Sequence, residues 1–166
     1  MRAPLYPVPL GPHFDLNRLK IVMNYIIYVS TAAKPMSDSE LSDILSASRK
    51  NNVSRGITGI LIYRYSAEED MGSFIQLLEG DRAAVMDTYH HIVKDSRHHS
   101  KIIIEEGQTE GRQFPDWAMG FKNIDAVDLR AVPGFTNLGK DSFDSDYFKN
   151  SSRTARETLE FFYDAD

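Results

Sequence analysis

The chain has 166 residues, enough for one domain that buries a core without metals or disulfides. Hydrophobic residues make up 42% and charged residues 26%, as in ordinary globular proteins, and a net charge of −5 with scattered Lys and Arg argues against nucleic-acid binding. The absence of cysteine excludes disulfides, thiolate metal sites and any chemistry that runs through a cysteine adduct; it also fits a reducing cytoplasm.

Residues 1–22 are punctuated by Pro4, Pro7, Pro9 and Pro12, which break any signal-peptide core and suggest a loosely packed extension. Met23 is an alternative start. No apolar run approaches the ~18–20 residues of a membrane span. The expectation is a soluble, cytoplasmic protein with no membrane contact.

The first strand is expected at Asn24–Ser30, rich in β-branched and aromatic residues. Ser37 and Glu40 have capping-box spacing and open a helix with Leu41, Ile44, Leu45 and Ser48 on one face. That helix is expected to end near Asn51–Asn52, since Asn tolerates the left-handed conformation of a helix end. Gly56–Tyr63 reads as a turn running into an apolar strand, Arg64–Gly72 as a long charged connection, and Ser73–Leu78 as the third strand. Glu79-Gly80-Asp81 then gives a turn and cap for a second helix, whose stripe is Val85, Tyr89, Ile92 and Val93. Strands follow at Lys101–Glu106 and Trp117–Ile124, separated by a polar loop over Gln108–Pro115.

The order βαββαββ points to an α+β, ferredoxin-like fold: a mainly antiparallel sheet with two helices on one face. Beyond residue 124, Phe143–Lys149 and Arg153–Tyr163 read as short aromatic-rich helices that would cover the other face. The expected division is an extension over 1–22, a domain over 23–124 and a helical extension over 125–166.

There is no G-x-G-x-x-G after a strand, no P-loop and no G-x-S-x-G elbow. His90-His91 and His98-His99 are adjacent pairs, without the i,i+4 spacing that puts two imidazoles on one helix face, so no metal site is expected. A more specific constellation runs the length of the domain. It comprises Tyr25-Ile-Ile-Tyr-Val-Ser30, Asn51-Asn52 before Gly56-Ile-Thr-Gly59, Phe74-Ile-Gln-Leu-Leu-Glu-Gly80, Asp95-Ser-Arg-His-His99 and Phe114-Pro-Asp-Trp-Ala-Met-Gly120. In this order over residues 24–123 it resembles the BLUF family of blue-light sensors.

The resemblance implies a non-covalent flavin, FAD with FMN as the alternative, lying between the two helices. Tyr28 matches the tyrosine that gives an electron and proton to the excited flavin, and Gln76 the glutamine between that tyrosine and the ring. Asn51 and Asn52 match residues on the pyrimidine side, and Ile44 and Ile92 match the apolar residues that sandwich the ring. Arg97 and His98 fall where the family contacts the ribityl or phosphate part. Trp117 and Met119 match a pair that moves near the glutamine. A separate downstream effector and self-association through the C-terminal aromatic segments are the implied partners; no enzymatic activity is expected.

These roles are chemically reasonable. An amide carries donor and acceptor in one group, so turning Gln76, or shifting it to the imidic tautomer, exchanges one for the other without a covalent bond. Alternation along a strand would put Trp117 and Met119 on one face. Taken singly, each residue has an ordinary reading: Tyr28, Ile44, Ile92, Trp117 and Met119 as packing, Asn51-Asn52 as a helix end, Arg97 as the partner of a carboxylate. Gln76 is the exception, because a buried amide without partners costs ~1–3 kcal/mol. The other readings open at this point are a small ferredoxin-like enzyme using Arg97 with Asn51 or Asn52 on a phosphate-bearing substrate, and a light-insensitive interaction module.

Overall fold

The computed structural model describes residues 21–116 and 118–124. The elements are β1 (Met23–Ala32), α1 (Asp38–Arg55), β2 (Thr58–Ser66), β3 (Met71–Gly80), α2 (Arg82–Val93), β4 (His98–Thr109) and β5 (Gly120–Ile124). The strands form one five-stranded sheet in the order β4-β1-β3-β2-β5. The pairs β1–β3, β1–β4 and β2–β3 are antiparallel, and β5 runs parallel to β2. The βαββαββ order and the mainly antiparallel sheet agree with the sequence reading. The expected helices at Phe143–Lys149 and Arg153–Tyr163 lie outside the described residues.

Each helix is fixed at its start by a short polar side chain. Ser37 accepts from the Glu40 backbone N–H at 3.3 Å, and the Glu40 carboxylate accepts from the Ser37 N–H at 2.9 Å, completing the capping box. Asp81 accepts from the Ala83 N–H at 2.9 Å and caps α2. Past the end of α2, the Lys101 ammonium donates to the carbonyls of Val93, the last helical residue, and of Asp95 and His98 in the turn into β4.

Several boundaries differ from the sequence expectation, each for a local reason. Helix α1 passes through Asn51-Asn52 and ends at Gly56, whose φ of 64° supplies the left-handed residue. Strand β2 starts at Thr58, just past this turn, in line with the expected turn at Gly56 running into a strand. The Arg64–Gly72 connection is mostly strand: Arg64 pairs with Ser73, Tyr65 with Gly72 and Ser66 with Met71, leaving residues 67–70 as the loop. Strand β4 starts three residues early, at His98, and extends to Thr109. Strand β5 starts at Gly120, so the segment before it is not extended and strand alternation does not govern Met119.

The packing follows from strand parity. Ile26, Tyr28, Leu61, Tyr63, Phe74 and Leu78 share one sheet face and meet Leu41 and Leu45 of α1 and Val85 and Tyr89 of α2 in a single core. Both helices thus lie on that face. They are tied to each other by Arg55, whose guanidinium meets the Asp87 carboxylate at 2.9 Å. The opposite face carries Ile27, Ile60, Ile62, Ile75 and Leu77, all with no exposed area. Their burial explains why β1, β2 and β3 read as continuous apolar runs.

Backbones approach closely at Gly59, where a Cβ would sit 2.0 Å from the Leu77 carbonyl oxygen. Gly59→Ala should therefore cost ~1–3 kcal/mol by forcing the strand to shift, against ~1 kcal/mol for loss of the α1 cap in Ser37→Ala. Urea denaturation of the two variants beside the parent checks both values and their order.

Candidate functional site

The register of the sheet assembles the site. Tyr28 pairs directly with Gln76 across β1–β3, Gln76 with Leu61 across β2–β3, and Tyr28 with Ile103 across β1–β4. One row of side chains on the helix-covered face therefore runs Ile103, Tyr28, Gln76, Leu61. Gln76 is the polar member of this row that interrupts an apolar floor, and it is 4% exposed.

Its amide is matched on both sides. The Tyr28 hydroxyl donates to Gln76 Oε1 in a short contact, and Gln76 Nε2 donates to Met119 Sδ at 3.3 Å. Thioether sulfur is a weak acceptor and never a donor, so Met119 selects the amide orientation that turns Nε2 toward it. One N–H of Gln76 Nε2 is left over from this arrangement. Burial, with lesser contributions from Tyr89 and Asp95, holds the Tyr28 phenol well above its ordinary pKa, so the group stays a neutral donor. The Tyr89 ring packs against that of Tyr28 with centroids 5.3 Å apart.

Above this floor a cleft opens between the helices, about 410 Å³ of empty space with its mouth included. Ile44 and Ser48 of α1 form one wall and Ile92 of α2 the other; Tyr28, Leu61, Phe74 and Gln76 form the floor, and Asp95, Arg97 and His98 one end. Aliphatic walls from two helices suit a flat ring.

The polar end is built by an irregular β4. Tyr28 pairs with Ile103 and Ala32 with His98, an odd spacing on β4 that a regular strand would send to opposite faces. Register shifts, with Ser100 at a φ of 52°, absorb the difference and bring His98 onto the site face. His98 Nδ1 then lies 2.7 Å from Ser30 Oγ. Desolvation, then the charge of Lys101, lowers the His98 pKa to about 4, so the ring is neutral near pH 7. Arg97 forms a two-pronged pair with Asp95 at 2.6 and 3.0 Å, and each holds the other charged.

The sequence-derived residues are therefore not all equivalent. Tyr28, Gln76, Ile44, Ile92, Arg97 and His98 converge on one cleft. Met119 reaches it through Gln76, although it precedes β5 and is placed by the loop; Trp117 lies outside the described residues. Asn52 is buried, and its Nδ2 donates to the Ala118 carbonyl at 2.7 Å. Asn51 is exposed, its backbone carbonyl accepts from the Ser54 hydroxyl, and it is not among the residues lining the cleft. The helix continues through both residues, and the turn of about 100° between neighbours leaves one buried and the other exposed. Ser48 and Asp95 line the cleft without having been singled out as ligand contacts, although Ser48 was visible on the apolar face of α1.

The sequence matches the BLUF family, "Sensors of blue-light using FAD", over residues 23–120. The chain belongs to the BLUF family. Among curated proteins, the photoactivated adenylate cyclase subunit beta of Euglena longa is 32% identical over 95 residues, 57% of this chain and 10% of that protein. The chain thus spans about a tenth of the curated relatives it matches. Among solved structures, a bacterial light-regulated adenylyl cyclase superposes with a TM-score of 0.56 at 33% identity, covering 61% of this chain and 28% of that one. The dark-state structure of BlrB, a BLUF protein, gives a TM-score of 0.60 at 27% identity, covering 75% of this chain and 86% of that one. A BLUF domain is a sensor module rather than an enzyme. Among the described residues, no helix is long and apolar enough to cross a membrane.

Because His98 is buried with a pKa lowered from 6.5 to about 4, the unfolded chain binds its proton first as pH falls. Stability due to this group is complete above pH 6.5 and is lost progressively toward pH 4. Denaturant titrations at several pH values should show a smaller loss over that window in His98→Gln than in the parent.

Proposed function

We propose that this chain is a blue-light photoreceptor that binds FAD non-covalently in the cleft between α1 and α2, with Tyr28 and Gln76 as its photochemical pair. The observation that carries this reading is the buried relay from the Tyr28 hydroxyl through the Gln76 amide to Met119, opening on a cleft with aliphatic walls. Residues 23–124 form the flavin-binding unit, and residues 1–22 and 125–166 are extensions of it.

The side chains fit a flavin. Ile44 and Ile92 line the cleft from the two helices, and the spare Gln76 N–H supplies a donor for an edge that presents carbonyl and imine acceptors. The Arg97–Asp95 pair and His98 sit at one end, where a ribityl or phosphate group extends; FMN satisfies the same contacts. Asn52, turned inward beside the cleft, supports the pyrimidine side. When bound, the flavin supplies a blue-light chromophore whose excited state is a one-electron oxidant.

The response of the chain's own residues follows from their hydrogen bonds. Tyr28 is an oxidisable phenol whose pKa keeps the proton on oxygen until an electron leaves. Its proton is then held toward Gln76 Oε1, on the hydrogen bond already present. Passing that proton onto Oε1 while the spare Nε2–H gives one up to an acceptor edge in the cleft leaves Gln76 in its imidic form and free to rotate. A rotated amide presents its oxygen to Met119 Sδ, two acceptors face to face, so Met119 must give way. A change in one buried amide thus becomes a displacement before β5.

Output from a sensor module passes to a separate effector or to a change in self-association. We assign the chain to the cytoplasm, without direct nucleic-acid contact. Light-dependent elution on gel filtration supports the self-association route, and identical monomeric elution in dark and light removes it. The full chain should purify yellow and show a small reversible red shift under blue light; a colourless protein that refuses FAD sinks the photoreceptor reading. Tyr28→Phe should keep the flavin and lose the normal photocycle, and a parent-like light response in that variant would remove Tyr28 from the mechanism.

A further inference from the structure

The segment joining β4 to β5 carries Met119 and is held at both ends by side chains that lie outside the cleft. At its start stands Glu79, a carboxylate with no exposed area. Its Oε2 accepts the backbone N–H of Gln113 at 2.8 Å, and its Oε1 accepts the N–H of Phe114 and the Thr58 hydroxyl, each at 2.8 Å. Arg112 continues this anchor, donating to the Gly56 carbonyl at 2.6 Å and to Thr58 Oγ1 at 2.9 Å. At the other end, Arg49 Nε donates to the Met119 carbonyl at 3.0 Å, beside the Asn52 bond to Ala118.

Glu79 occupies a position on β3 that an apolar residue would fill at less desolvation cost. Its two carboxylate oxygens accept backbone N–H groups of the segment whose last residue touches Gln76. Arg49 is exposed on α1 and reaches across to the same residue's carbonyl. Met119 itself is 2% exposed, and its sulfur has a defined position against the amide.

We infer that Glu79 and Arg49 are positioning residues that hold Gln113 and Phe114 at one end and Met119 at the other as a strap, and that the strap sets how readily Met119 yields to and returns against Gln76. This rests on reading Tyr28 and Gln76 as the photochemical pair. Neither residue touches the flavin site. Each acts through backbone groups, so weakening either end should alter the lifetime of the lit state while leaving flavin binding intact.

The test uses the full chain loaded with FAD, reading the light-induced shift and its recovery in the dark. Glu79→Gln keeps an oxygen for Phe114 and Thr58 but turns an amide donor toward the Gln113 N–H. Arg49→Gln removes the Met119 bond from an exposed helical site, and Arg49→Lys returns a donor. Both glutamine variants should bind flavin with the parent dark spectrum and change the recovery rate by roughly threefold or more, the effect of losing one hydrogen bond at a barrier. Arg49→Lys should recover at a rate nearer the parent than Arg49→Gln. Parent-like recovery in the glutamine variants overturns the strap, as does an Arg49→Lys rate equal to that of Arg49→Gln. If Glu79→Gln is not obtained folded, the Arg49 pair alone decides by the same criteria. A parent protein that binds FAD without any light-induced shift removes the photoreceptor reading itself, which separates the two failures.

Discussion

The site depends on one hydrogen bond, from the Tyr28 hydroxyl to the Gln76 amide oxygen, formed where β1 and β3 pair. A glutamine in the middle of a buried strand has four hydrogen-bonding positions to satisfy and only apolar neighbours along its own chain. The sheet meets this demand by setting a tyrosine beside it on one strand and bringing a methionine over it from the approach to β5. The central strands must therefore keep a fixed register. A slip of one residue would turn Tyr28 toward the opposite face and leave the amide unpaired.

That register is protected by packing on both sides of the sheet. Isoleucines and leucines fill the face opposite the helices, and Gly59 lets β2 lie close against the Leu77 carbonyl. On the site face, the helices are separated enough to leave a cleft, while Leu41, Leu45, Val85 and Tyr89 still close the core around it. The same two helices thus contribute stability through their inner residues and a binding wall through Ile44, Ser48 and Ile92. Helical periodicity shows that these residues share a broad face; it does not show where core ends and cleft begins.

Much of this was legible in the sequence, and the limits have identifiable causes. The capping box at Ser37, the alternation of β-rich segments with helices, and the pairing of Tyr28 with Gln76 follow from local patterns and a family resemblance spread over the domain. The misplaced boundaries arise where tertiary contacts override local signals. Asn52 resembles a helix end, yet its side chain is occupied with Ala118 and the cap is Gly56. Arg64–Ser66 looks like loop because it is charged and polar, but strand pairing continues through it. Glu79 was read as part of a turn; its burial depends on donors supplied by residues 113 and 114, more than 30 positions away. No local pattern marks a carboxylate as the receptor for a distant backbone.

Strand β5 gives the architecture a further consequence. It is short, runs parallel to β2, and among the described residues pairs on that side alone. Strands of this kind sit at the low end of the local opening free energies in a sheet. Met119, which contacts the Gln76 amide, is thus joined to a short edge strand, while Tyr28 and Gln76 lie on the inner strands β1 and β3. Under the proposed function, hydrogen exchange at β5 can change on illumination with little disturbance of the core around Tyr28 and Gln76.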